Sequence, residues 1–389
     1  MIKTILASTG EIDDIELAVS EIMGQLDVGN QLLSHSVGIV SCHYEFISSG
    51  ALAAICEALP FETAGAVTMN QATNCAMGTF VLSVMVLTSD DVVFTTTLSE
   101  PLNAEMPERL GAAYQALVAQ QQDAPALLLI YAPFMAQNSG DDYVNLFTEF
   151  SGGVPCFGTM AIDDSDSFTF ENCMSIYHGA PYSDRICLVG IHGDIKPRFF
   201  LATISPDKVF AKPALITKSE GHILQEVNGR PVVEYFSNLG LTTATETQYA
   251  TASLPFMINY EDGTPPVSKV FISLTPENYA LCAGAMPEGV SLYIGVFDKD
   301  DVLLTSGEAI DTVLADLEGA SAMLIYSCIS RSMSLGSDTM AELELIQGKV
   351  GQSIPLLMAY SGGEMCPTQI SNDKAINRFH NNTFIGCVF

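Results

Sequence analysis

Positive charge is what this sequence has least of. Its 389 residues carry 15 Lys and Arg against 45 Asp and Glu, a formal charge of −30. Nucleic acid and anionic membrane surfaces both need a positive footprint on the protein, so neither is expected as a partner. Charged residues of either sign make up only 15%, against 48% hydrophobic, which is a globular and not a disordered composition. The ten cysteines include no CxxC pair and are scattered through apolar stretches, among them Cys42, Cys56, Cys187, Cys282 and Cys328. Thiols acting as small buried hydrophobes in a reduced cytoplasm account for them most simply. No run approaches the ~20 apolar residues that cross a bilayer, and the first apolar run is too short for an export signal. A GxSxG elbow, a phosphate-binding loop and a GxGxxG turn are all missing, so no motif supports an enzyme.

A chain of this length is expected to form two domains, because single cores stop growing at roughly 250–300 residues. Residues 1–33 read as an N-terminal helical segment, with Ile12, Ile15, Ala18, Ile22 and Leu26 at helical spacing. The clearest boundary is 206–218, where two prolines and a concentration of lysine interrupt the pattern. The expected modules are therefore 34–205 and 206–389. Residues 81–97 read as a hairpin with its turn at Asp90-Asp91. The run Val86-Leu-Thr-Ser-Asp-Asp-Val-Val-Phe-Thr95 aligns with Val296-Phe-Asp-Lys-Asp-Asp-Val-Leu-Leu-Thr305, which puts Asp300-Asp301 at a matching turn. A helix and an apolar strand follow each, then a Val154-Pro155 or Ile354-Pro355 strand. The predicted fold is α/β (α+β): two related modules in a pseudo-repeat, with mixed or antiparallel sheets covered by helices.

Residues 322–367 organise the second module. The apolar run Met323-Leu-Ile-Tyr-Ser-Cys328 ends in Ile-Ser-Arg331, and residues 340–350 show helical spacing. A second apolar run, Ile354 to Tyr360, ends in Ser361-Gly362-Gly363-Glu364. Two parallel strands joined by a helix would bring Arg331 and Glu364 to the same sheet edge, where ligands sit in open α/β sheets.

These residues resemble the FIST family, a sensory module with N- and C-terminal halves. The first half carries Val37-Gly-Ile-Val-Ser-Cys, Phe61-Glu-Thr-Ala-Gly-Ala-Val-Thr and Gly153-Val-Pro-Cys-Phe-Gly. The second carries Gly229-Arg-Pro-Val-Val-Glu-Tyr, Tyr326-Ser-Cys-Ile-Ser-Arg331, Gly362-Gly-Glu364 and Phe379-His-Asn-Asn-Thr383. Ser330 departs from the family's usual glycine before the arginine. The resemblance implies a cytoplasmic ligand-sensing protein that binds a small molecule such as an amino acid. Some members resemble haem-binding nitric-oxide sensors, and many are fused to an output module. Here the residues leave no room for one, so the signal is expected to pass to a separate partner.

Arg331 has two readings: a guanidinium fork for a ligand carboxylate, or an internal ion pair with Glu364. In the first, Glu364 would hold an ammonium and the Gly362-Gly363 backbone would cradle a small anion. Cys328 reads as packing more readily than as a nucleophile, since a reactive thiolate needs a positive neighbour. His380 and Asn382 precede a last apolar strand and either line the pocket or cap a turn. The expected ligand-binding set is Cys328, Arg331, Gly362, Gly363, Glu364, His380 and Asn382, with no metal and no catalytic residue. A haem held by His380 or His43 is a minor alternative, and a ligand-free scaffold is another. The loop 132–138 of the first module has neither Cys nor Arg, which points to the second module as the binder.

Overall fold

The computed structural model describes every residue except 103–104, 122, 136, 164–169, 211, 241–254 and 373. Three of its four sheets have the same plan. Each centres on two parallel strands joined by helix: His35–Cys42 with Glu62–Val67, Leu127–Ala132 with Cys156–Met160, and Met323–Cys328 with Leu356–Ser361. All six are short, wholly or almost wholly buried apolar runs, as crossover strands covered on both faces must be. A closing strand pairs antiparallel with the first of each pair, and a leading strand pairs antiparallel with the closing strand at the sheet's edge. The closing strands are Leu82–Ser89, Cys187–His192 and Phe384–Val388, and the leading strands are Lys3–Thr9, Val93–Leu98 and Arg198–Ala202.

Beyond the second parallel strand each sheet takes a hairpin from another unit. Hairpin 71–78 of the first unit joins the third sheet, 175–182 of the second joins the first, and 364–380 of the third joins the second. The three units are thus tied in a closed cycle, each sheet completed by a neighbour. At equivalent register positions stand Gly65, Gly158 and Ala359, opposite Val40, Ile130 and Tyr326. A Cβ on Gly65 or Gly158 would lie 1.8 or 2.0 Å from the facing carbonyl oxygen, so these two strands close only around glycine.

The mixed sheets, the covering helices and the internal repeat match expectation; at the level of sheets the repeat has three units. Several local expectations change. Residues 1–33 are not helical throughout, because Lys3–Thr9 is a strand paired along its length with Leu82–Ser89. Residues 81–97 are not a hairpin: Leu82–Ser89 lies in the first sheet and Val93–Leu98 in the second. Asp300 and Asp301 are not at a turn. They open the helix Lys299–Leu314, where Asp298 accepts from the Asp301 N–H and Asp301 returns a carboxylate to the Asp298 N–H.

The fourth sheet is built from strands between the leading strand of the third unit and that helix. It runs Val267–Lys269, Phe256–Asn259, Ser291–Ile294, Ala214–Glu220, Ile223–Val227, Ala280–Cys282, Phe271–Leu274, antiparallel throughout, over its own core of Ile216, Leu224, Phe236 and Phe256. Nine of the ten cysteines are buried and none is in a disulfide; Cys75 is exposed.

Candidate ligand-binding site

The expected juxtaposition is present. Cys328 and Ser361 are register partners at the ends of their parallel strands, and the chain then departs as the short helix Ile329–Ser334 on one side and as Gly362-Gly363 on the other. A pocket of about 610 Å³, its open mouth included, lies against this edge. Cys328, Ile329, Ser330, Met333, Gly362 and Asn381 form one wall, and Phe134, Ile162 and Phe170 of the second unit form another. Val270, Phe271, Ile272 and Ala283 of the fourth sheet roof it. The walls are mainly aliphatic and aromatic, with Phe134 stacked on Phe170 at 3.9 Å between centroids.

Of the seven expected residues, Cys328 and Gly362 reach the pocket. Arg331 does not: it is fully buried and spent on an internal ion pair, though with Glu342 and not Glu364. Its Nε and Nη2 donate to Glu342 Oε1 at 3.0 and 2.8 Å, and Nη2 also donates to Val302 O (3.0 Å), Thr305 Oγ1 (3.2 Å) and Ser306 Oγ (2.7 Å). Ser327 Oγ donates to the other Glu342 oxygen at 2.7 Å, and the rings of Phe297 and Phe384 lie over the guanidinium. A clamp on a ligand carboxylate is therefore not available from Arg331. Its work is to fasten the pocket helix to the helices Lys299–Leu314 and Ala341–Val350.

Glu364 is equally buried. Ser361 Oγ donates to its Oε1 at 2.9 Å, and Oε2 has no hydrogen-bond partner. Burial holds its pKa well above the carboxylate range, against the pull of Ser361, Thr383, Cys328 and Arg331. A neutral acid behind the wall cannot balance a ligand ammonium. The glycine cradle also fails, since the Gly362 N–H donates to Met160 O at 2.9 Å. Gly363 is needed for a close approach: a Cβ there would stand 2.3 Å from the Phe379 ring.

Cys328 behaves as packing. Burial, with Glu364 nearby, pushes its thiol up to about 12, and Ser330 Oγ donates to Sγ at 3.1 Å. Burial first, then the charges of Lys269 and Arg378, lower the His380 pKa to about 3, leaving a neutral imidazole away from the pocket lining. Asn382 is also behind the wall, in a left-handed turn at φ 52°, with neither side-chain polar atom partnered. Its neighbour Asn381, part of the same motif but outside the expected set of seven, is the residue on the pocket. No histidine lines the pocket, so its walls do not fit a haem with an axial imidazole. Among the described residues no group of three His, Cys, Asp or Glu is placed to hold a metal, and no helix is long and apolar enough to cross a membrane.

Sequence reasoning also missed the roof and the second-unit wall. Loop 132–138 had been set aside, yet Phe134 comes from it; Ala136 of that loop lies outside the described residues. The roof is held down by buried polar contacts. Lys269 Nζ donates to Asp141 Oδ2 (2.6 Å) and Phe379 O (2.7 Å), all without solvent, and the Ala285 N–H donates to the same carboxylate oxygen at 2.7 Å. The Asn381 N–H donates to Ser268 O, and Arg378 pairs with Asp262 while stacking on Tyr260 at 4.3 Å.

Comparison with known proteins agrees with the motif reading. The FIST N domain model matches residues 36–230 and the FIST C domain model matches 233–367. No curated protein sequence matches the chain. Among solved structures, cyanuric acid hydrolase from A. caulinodans aligns over 100% of this chain and 99% of its own, at 8% identity and a TM-score of 0.38. PurL of T. maritima complexed with FGAR aligns over 100% and 72%, at 10% identity and 0.21. Likenesses this slight carry neither fold nor activity across. The family models together span most of the described units: the chain belongs to the FIST family, whose domains are associated with sensory signal-transduction proteins.

Proposed function

We propose that the chain is a small-molecule sensor whose ligand sits beneath the fourth sheet, and that a separate protein reads the position of that sheet. The observation that carries this is the composition of the pocket wall. Its residues come from the second unit, the third unit and the fourth sheet, the sheet being held over the two units by polar contacts such as Lys269 with Asp141 and Phe379. A ligand touching all three binds the closed arrangement better than any opened one, and that difference in affinity is what shifts a population. An amino acid would find apolar walls for its side chain but no cation for its carboxylate.

A thermal-shift screen of a fragment and metabolite library tests the pocket, run on wild type beside Ala283→Trp and Met333→Trp. Both positions are half-buried on the pocket face, so the larger side chains fill space without entering a packed core. Hits should stabilise wild type by a few kcal/mol at saturating ligand and leave both variants unmoved. Hydrogen exchange on a hit should slow in 267–284. Hits that stabilise the filled variants equally would refute the pocket, and unchanged exchange in 267–284 would refute the moving sheet.

A further inference from the structure

Resting on that sensor reading, we infer that the pocket takes an uncharged, largely apolar molecule that donates one hydrogen bond, from N–H or O–H, to Asn381. Among the described residues no charged side chain lines the pocket. The two cations nearest the wall in sequence are not on the lining and each is ion-paired, Arg331 with Glu342 and Lys269 with Asp141, although Arg331 Nη1 has no hydrogen-bond partner. A carboxylate ligand would give up its hydration for no counter-charge, inside a protein of charge −30. An ammonium would find no carboxylate among the described lining residues, and burial raises the pKa of Glu364 behind the wall well above the carboxylate range. Both charged classes therefore lose more on entry than they gain.

The apolar part of the ligand has defined surfaces, the stacked Phe134 and Phe170 on one side and Phe271 above. Its polar part has one candidate partner among the described lining side chains. The Ser330 hydroxyl is donated to Cys328 Sγ and the Gly362 N–H to Met160 O. Among the described lining residues, the Asn381 side-chain oxygen is the polar side-chain atom without a hydrogen-bond partner, in a residue only 1% exposed. A buried acceptor left unsatisfied is costly, so a donor that reaches it is selected over an isostere that lacks one.

Calorimetric titration with indole, 1-methylindole, indole-3-acetate and tryptamine separates these features, using wild type, Asn381→Leu and Ala283→Trp. Indole should bind wild type at least about tenfold tighter than each of the other three, the size expected for one lost buried hydrogen bond or one uncompensated charge. Asn381→Leu should erase the difference between indole and 1-methylindole, and Ala283→Trp should abolish binding. Tighter binding of indole-3-acetate or tryptamine, blocked by Ala283→Trp, would overturn the uncharged ligand and leave the sensor pocket standing. Equal affinity for indole and its methyl derivative, or discrimination that survives Asn381→Leu, would overturn the role of Asn381. Binding by none of the four, or binding that Ala283→Trp does not touch, would overturn the pocket and the inference together.

Discussion

Replacing Arg331 with alanine should cost about 3–5 kcal/mol, the usual consequence of leaving one partner of a buried ion pair alone. Glu342 would lose its counter-charge at zero exposure, with Ser306 and Ser327 hydroxyls as its remaining support. Val302 O and Thr305 Oγ1 would also lose a donor, and the deleted stem would leave a void between Phe297 and Phe384. Against a typical total of about 5–15 kcal/mol, that is a fifth of the stability or more. The pair Arg331→Met/Glu342→Leu should recover most of the loss, because neither charge is then stranded. Urea unfolding at pH 7, followed by far-UV circular dichroism, measures Arg331→Ala and, as a double-mutant cycle, Arg331→Met, Glu342→Leu and their pair. The expected coupling is several kcal/mol. Arg331→Ala within about 1 kcal/mol of wild type, or a coupling near zero, would refute the structural role. So would a folded Arg331→Lys that keeps its stability but loses a ligand the wild type binds.

Two further outcomes follow from the same region and from the sheet cores. Glu364 has a folded-state pKa above its usual 4.5, so its contribution to stability is complete below that value and is lost as pH rises towards the folded one. Glu364→Gln removes this dependence. The stability of wild type relative to the variant should therefore fall from about pH 5 upward, by up to about 1.4 kcal/mol per pH unit, and parallel curves would exclude a neutral buried Glu364. Gly65→Ala and Gly158→Ala should each fail to give soluble folded protein, since the added Cβ meets backbone and not a movable side chain. Native circular dichroism from either variant would show that the strands can separate further than the structure has them.

Much of the site's scaffold was legible in the residues. The runs ending at Cys328 and Ser361 are continuous apolar segments of strand length with a helical period between them. Local pattern alone therefore places their ends together. Burial of all the cysteines but Cys75 follows from similarly local chemistry. Asp90-Asp91 and Asp300-Asp301 misled for a physical reason: aspartate serves a turn and a helix N-cap equally well, so one tetrad of residues fits both.

What the sequence by itself determined about this protein is its family, its mixed α/β character and the edge at which the strand-end loops meet, because each rests on short-range periodicity or a motif. Tertiary structure alone decided the rest. Glu342 and Glu364 are both acids within reach of that edge, and only the packing of Ala341–Val350 against Lys299–Leu314 delivers Glu342 to Arg331. The crossing of Val81 to Thr97 into two sheets, the exchange of hairpins among three units, and the roof over the pocket all join residues far apart in the chain. Their energies lie in contacts between elements, and no window of neighbouring residues contains them.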